Sequence, residues 1–260
     1  MHTWKLEIQY EGTRYRGWQV QKNARSIQGE LYKAAEEVFR QEVEIGSAGR
    51  TDAGVHAWQQ FAHLRVGELK RDYTPKQVQY ALNDLLPADI NVIRAYNSTP
   101  NFNARYDATS RYYLYQISTR RTAFAKNFVW WVKDSLDLAA MNHAIKLLPG
   151  KKDFYSFCDP PTEAVSTLVN VEKAQLFTHG EMILFRIGAN HFLWKMVRRI
   201  VGSLVEIGRG NLGIRDFEKL FTKKSRATAA WTAPPSGLFL EKVLYKGDTP
   251  PEKLEPLFPI

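Results

Sequence analysis

Cysteine is almost missing: the 260 residues hold one, Cys158. A single thiol excludes an internal disulfide and any zinc site built on clustered cysteines, and it suits a reducing compartment. No base stands beside Cys158 in sequence, so it reads as a structural thiol rather than a nucleophile. The six histidines are scattered, and no His, Cys, Asp or Glu set falls at metal-ligand spacing. Long apolar runs are missing as well. No stretch reaches transmembrane length, and Met1-His2-Thr3-Trp4-Lys5 does not open like a secretory leader. The expectation is a cytoplasmic protein without membrane spans. The chain also lacks the G-x-x-x-x-G-K-[ST] phosphate loop, the dinucleotide fingerprint and the G-x-S-x-G nucleophile elbow. No repeat of fixed period is visible.

What the chain has in surplus is positive charge. Lys plus Arg total 36 against 27 for Asp plus Glu, a formal net charge of +9. That favours a polyanionic partner, with a basic enzyme lacking such a partner as the alternative. Hydrophobic residues at 44% and charged residues at 24% are ordinary for a globular chain. The length allows one large domain or two small ones.

Periodicity orders the first hundred residues. Trp4, Leu6, Ile8 and Tyr10 alternate as a half-buried strand. After Ser26, a suitable N-cap, the residues Ile27, Leu31, Ala34, Ala35, Val38 and Phe39 recur at helical spacing to about Arg40. Val43 and Ile45 make a short strand; Trp58, Ala62, Leu64 and Val66 make another. Thr74-Pro75 opens a second helix with Val78, Ala81, Leu82, Leu85 and Leu86 on its apolar face, stopped by Pro87. A strand from Ile90 to Tyr96 completes a βαββαβ series, the pattern of a ferredoxin-like unit with two helices on an antiparallel sheet. Ser98-Thr99-Pro100 marks a domain junction.

The second half again mixes strands and helices. Strands are expected at Arg111–Ile117, Phe128–Val132, Val169–Phe177, Met182–Ile187 and Leu238–Tyr245. Helices are expected over Leu138–Leu148, closed by Gly150, from about His191 to Ile207, and at Phe217–Phe221. The resulting division is 1–100, 101–248 and a Pro-rich surface tail at 249–260.

One stretch concentrates chemistry: Gly49-Arg50-Thr51-Asp52-Ala53-Gly54-Val55-His56-Ala57. Arg, Asp and His lie within seven positions of a glycine-punctuated loop between two strands. An Asp in such a loop can simply hydrogen-bond its own turn. It can also serve as nucleophile or general base if its neighbours set its ionisation, and an arginine would keep it charged. Upstream, Tyr15-Arg16-Gly17-Trp18-Gln19 interleaves aromatic and basic residues. This loop can stack bases and hold phosphates, or its aromatics can staple the core.

Within this stretch, Gly49 to His56 closely resembles the active-site motif of the TruA-type tRNA pseudouridine synthases. Six further segments match in the family's order: Tyr15–Gln19, Asn83 with Leu86-Pro87, Phe102–Arg105, Ala108–Tyr115, Met196–Gly202 and Thr232–Leu238. The resemblance spans about residues 4 to 245. It implies an α+β chain of two α/β, ferredoxin-like (RRM-like) domains sharing an extended, mostly antiparallel sheet, with an active-site cleft between them. It implies a homodimer that binds tRNA and isomerises uridine at about positions 38 to 40 of the anticodon stem-loop, on a base taken out of its stack, with no cofactor and no metal. Asp52 matches the catalytic nucleophile, Tyr113 the residue stacking on the target base, and Arg198 the arginine that salt-bridges the catalytic Asp. Arg50 matches the arginine that helps extrude the base and hold phosphate. Arg105, Arg14, Arg16, Lys22 and Arg25 are the further RNA-binding candidates. A one-residue slip would give the tyrosine role to Tyr112, on the other strand face. Leu238 is either the apolar residue under Tyr113 or plain core. Leu114 and Lys195 depart from the family's usual basic residue and His. A non-catalytic RNA-binding protein on the same fold is the competing reading. Asp52 argues against it, because a carboxylate facing a polyanion weakens binding unless chemistry needs it.

Overall fold

The computed structural model describes residues 1–159 and 166–258. In chain order these carry β1 (His2–Tyr10), α1 (Ile27–Phe39), β2 (Val43–Ser47), β3 (His56–Val66), α2 (Pro75–Asn83) and β4 (Ile90–Asn97). There follow β5 (Ser110–Ser118), β6 (Trp130–Trp131), α3 (Leu138–Ile145), β7 (Gly150–Asp153), β8 (Leu168–His179) and β9 (Met182–Ala189). The series ends with α4 (Met196–Gly208), α5 (Ile214–Lys219) and β10 (Leu238–Leu244). No helix among the described residues is long and apolar enough to cross a membrane.

The chain forms two compact units. The first is Met1–Thr109 with Phe239–Thr249; the second is Ser110–Leu238 with Pro250–Ile260. These bounds differ from the expected 1–100 and 101–248. Residues 101–109 stay with the first unit because its side chains hold them: the Ala104 amide donates to Nδ1 of buried His63 (3.1 Å), and the Tyr245 hydroxyl donates to the Ala104 carbonyl (2.9 Å). The expected tail is anchored to the second unit. Leu254 and Leu257 pack on Leu114, Met182 and Leu184, and Phe258 stacks on Phe128 at 4.4 Å. Its last two residues, 259–260, lie outside the described residues.

The first unit has the expected βαββαβ course. The strands of that series run β4-β1-β3-β2, each neighbouring pair antiparallel, and β10 joins the sheet of this unit parallel to β3 at Phe239 and Leu240. Helix α1 begins where Ser26 accepts from the Gly29 amide, and its apolar stripe faces the sheet, with Phe39 stacked on Trp4 at 5.4 Å. Ile27 and Leu31 on that stripe are fully buried, about 2 kcal/mol each by area. A capping box between Thr74 and Gln77, with Pro75 in the first turn, starts α2. Asn83 ends it by bonding both the carbonyl and the amide of Val92 on β4. Trp58 breaks the alternation expected for β3: it is exposed. The pairing jumps from Ile8↔Gln60 to Tyr10↔Ala57, so β3 carries one extra residue there and its phase flips.

The second unit repeats strand, helix, strand, strand, helix with β5, α3, β8, β9 and α4. Its antiparallel order, β5-β9-β8-β7, again sets the third strand of the motif between the first and second. Three expected elements moved and one strand was not expected. The helix expected from His191 starts at Met196, because Lys195 sits at φ 64°, outside right-handed helix. The strand expected over Phe128–Val132 is only Trp130–Trp131, paired parallel to β5. The short helix is Ile214–Lys219, begun at Gly213, rather than 217–221. Strand β7 had no apolar alternation to announce it; Gly150, expected to close α3, is its first residue.

His63 gives the first unit a pH signature. Burial, with Arg65 adding to it, lowers its pKa against the opposing pull of Glu44. The unfolded chain therefore takes up a proton near pH 6.5 that the folded chain resists, so the stabilising contribution is complete above about pH 6.5 and is lost as pH falls toward the folded value. Denaturation midpoints measured from about pH 7 to about pH 5 should fall more steeply for the wild type than for His63→Gln.

Candidate active site

The groups singled out in the sequence lie on both units, and each unit builds its share from its own residues. In the first, residues 49–55 link β2 to β3. Their main chain is held at several points. Gln60 and Ser47 both donate to the Gly49 carbonyl (2.7 and 3.0 Å). The Trp18 amide donates to the Thr51 carbonyl (3.0 Å), the Gly54 amide to the Tyr15 carbonyl (3.2 Å), and the Val55 amide closes a turn on the Asp52 carbonyl (3.1 Å). Thr51 is buried, with its hydroxyl 2.8 Å from that of Tyr10. His56 is buried too, accepting from the Gly12 amide at Nδ1 and stacked on Phe239 at 4.8 Å. Asp52 is half-buried and Arg50 exposed.

The 12–18 segment can lie this close only because of two glycines. A Cβ on Gly12 would come 2.0 Å from the Val55 carbonyl oxygen, and one on Gly17 2.5 Å from that of Thr51. Gly17 also has φ +92°, a region that side chains disfavour. The two alternatives for this loop divide by residue type. Its aromatics staple the core: Tyr15 and Trp18 are 2% and 1% exposed, and the Tyr15 hydroxyl donates to Asp89. Burial and that carboxylate push the Tyr15 pKa up. Its cations face outward. Arg16 and Lys22 are exposed, Arg14 pairs with Asp89 at 2.9 Å, and Arg25 pairs with Glu30 at 2.9 Å over the Tyr15 ring. Arg105, also exposed, is on the same unit.

In the second unit, β5 carries the tyrosines. Tyr113 and Tyr115 share one face, and Tyr112 faces the other way. Tyr113 is 8% exposed, its ring edge-on to Phe192 at 4.9 Å. Tyr112 is committed to structure, its ring against Gly188 and its hydroxyl directed at Glu172. Tyr115 is fully buried and donates to the Pro234 carbonyl (2.7 Å). Burial raises its pKa well above the usual tyrosine value, with the charge of Arg198 pulling the other way. Arg198 is half-buried in the first turn of α4. Its Nε donates to the Ala233 carbonyl (2.8 Å), and its own carbonyl accepts from the Ala233 amide (3.1 Å). The Ala233-Pro234 segment therefore ties Arg198 and Tyr115 together. Leu238 is buried at the start of β10.

Sequence reasoning passed over two kinds of support. One is the buried pair Tyr10 and Gln60, which hydrogen-bond the Thr51 hydroxyl and the Gly49 carbonyl of the loop. The signal for Gln60 was a polar residue in phase with Trp58 and Ala62 on β3; Tyr10 read as an ordinary strand residue. The other is Asp159, which pairs with Lys195 (2.6 Å) and with buried Arg199 at the start of α4. Nothing local marked it. Cys158 is buried, and burial raises its thiol to about 11, in keeping with a structural role. No group of His, Cys, Asp and Glu among the described residues could hold a metal ion.

The sequence profile of the family described as tRNA pseudouridine synthase matches residues 7–107 and 144–246. A Geobacillus sp. (strain WCH70) relative named tRNA pseudouridine synthase A is 36% identical over 93% of this chain and 97% of its own. Same-named relatives from Brachyspira hyodysenteriae and Maricaulis maris are each 38% identical over 95% of this chain, and over 100% and 99% of theirs.

Removing the Tyr115 hydroxyl tests the tie to Arg198. Tyr115→Phe strands the Pro234 carbonyl and should cost about 1 kcal/mol in denaturant unfolding. Steady-state kinetics should show kcat reduced severalfold with KM little changed.

Proposed function

Because the chain belongs to the tRNA pseudouridine synthase family, it isomerises uridine to pseudouridine in tRNA, and we propose that its targets lie in the anticodon stem-loop, at about positions 38 to 40. The observation that carries the reading at the level of residues is a carboxylate, Asp52, on a main chain pinned by neighbouring segments, beside an exposed arginine. Binding alone has no use for such a group against a polyanion.

The reaction breaks the bond between uracil N1 and ribose C1′ and makes one between C5 and C1′. Asp52 is the group that attacks C1′ or assists the cleavage, which needs it ionised. The freed base turns and C5 bonds to C1′. C5 then loses its proton and N1 gains one, so the product is an isomer and no cofactor is consumed. Arg198 is the countercharge that favours the ionised carboxylate. Tyr113 stacks on the uracil. Arg50 helps hold the nucleotide extruded. Arg14, Arg16, Lys22, Arg25 and Arg105 bind backbone phosphates, which positions the RNA without reading its sequence. The protein acts as a cytoplasmic homodimer, as the resemblance implies.

Pseudouridine mapped along an unmodified tRNA transcript tests this. Wild type should convert uridines of the anticodon stem-loop. Asp52→Ala should lose at least about a thousandfold in rate and keep its tRNA affinity within a few fold. Wild type that binds tRNA and converts nothing would return Asp52 to a turn residue. Conversion elsewhere in the tRNA would overturn the assignment of site but not of activity.

A further inference from the structure

Residues 192–198 connect two of the groups just assigned. Phe192 packs against the Tyr113 ring, and six residues on, Arg198 is bound to Ala233. Between them Trp194 is 63% exposed. Single exposed aromatics are common and by themselves mean little; Tyr106 and Phe124 are more exposed still. What sets Trp194 apart is how its backbone is held. The Trp194 carbonyl accepts from the Asp159 amide (3.3 Å). Next to it Lys195 takes a left-handed conformation, φ 64° and ψ 4°, one of two non-glycine residues with positive φ among those described. Such a conformation is unfavourable for a residue with a side chain and persists only where the surroundings enforce it. Here the main chain is bonded on both sides, with the Met196 amide on the Leu193 carbonyl (3.1 Å) and the Arg199 amide on the Lys195 carbonyl (3.0 Å), and the Lys195 ammonium pairs with Asp159 (2.6 Å), which buried Arg199 also holds. The same Lys195 ammonium sits 4.6 Å from the Trp194 ring centroid. A cation on one face of the indole leaves the other as a stacking surface.

We propose that Trp194 is a nucleobase-stacking platform for the RNA substrate, taking a base next to the uridine that reacts, with Asp159 and Lys195 as the clamp that presents it. The proposal rests on tRNA being the substrate. An indole stacks on any base, because every base has a π-face, so the platform grips the strand without selecting sequence. A base leaving the helix breaks the stacking of its neighbours. A rigid indole in the segment between Phe192 and Arg198 recovers part of that loss.

The test is equilibrium binding of an unmodified tRNA transcript to wild type, Trp194→Ala and Trp194→Phe, with conversion measured in the same samples. The Ala variant should weaken binding roughly 10- to 100-fold, and the Phe variant should recover most of it. An exposed side chain contributes little to the core, so the melting transition should hold for both. Abasic substitutions next to the target uridine refine the assignment: at one position the loss from the missing base and the loss from Trp194→Ala should not add. Wild-type affinity in Trp194→Ala, or losses that add at every position, would overturn the platform. Tight binding by wild type without conversion would overturn the catalytic reading instead and leave the stacking result to be judged by affinity alone.

Discussion

The first unit depends on an approach of two backbones that only glycine allows. The 12–18 segment lies directly on the Asp52 loop, and a Cβ at Gly12 or Gly17 would meet carbonyl oxygens at 2.0 or 2.5 Å. The consequences spread from there. With the segments this close, Trp18 and Tyr15 exchange main-chain hydrogen bonds with the loop, and their rings are buried. The aromatic residues are thereby spent on the core, and the neighbouring Arg14 and Arg16 are exposed. Asp52 ends up on a backbone whose neighbours on both sides are bonded. The role proposed for Asp52 needs a side chain held to a fraction of an ångström, and hydrogen bonds to main chain on either side of it serve that need.

The second unit solves a similar problem with side chains. Arg198 and Tyr115 come from a helix and a strand, yet both bind the two-residue segment Ala233-Pro234. Tyr115 stays a neutral donor because burial keeps its hydroxyl protonated. The first turn of α4 gathers Arg198 and Arg199, with Lys195 at its N-cap, where the helix dipole already favours anions over cations. Asp159 offsets part of this crowding by pairing with Lys195 and Arg199. A concentration of cations of this kind suits a polyanionic substrate, and it agrees with the net charge of +9.

Much of this was legible in the sequence because local and global signals agreed. Ser26 and Thr74-Pro75 announced α1 and α2, and alternation announced β1 and β4. The βαββαβ order then fixed the first sheet. The glycines around Asp52 were visible, but what they approach was not, since Gly12 and Val55 are far apart in the chain. The misses share one physical cause: each was decided by tertiary contacts. Trp58 lost its phase to a bulge set by pairing with β1. The start of α4 was displaced by a left-handed Lys195 held through Asp159, more than thirty positions upstream. Strand β7 exists because β8 offers it an edge, not because Gly150-Lys151-Lys152-Asp153 prefers to be extended. Residues 101–109 fall within the expected second domain, whereas their contacts through His63 and Tyr245 are with the first unit.

The most direct test of the account is the single-turnover rate of pseudouridine formation at saturating Gly17→Ala enzyme, with tRNA affinity and the unfolding transition measured alongside. The added methyl meets the Thr51 carbonyl oxygen and must push the Asp52 backbone aside. The account predicts a rate at least about tenfold lower in a protein that still folds and binds tRNA, since small misplacements of a reacting group carry large kinetic costs. A folded Gly17→Ala protein that turns over at the wild-type rate would contradict it.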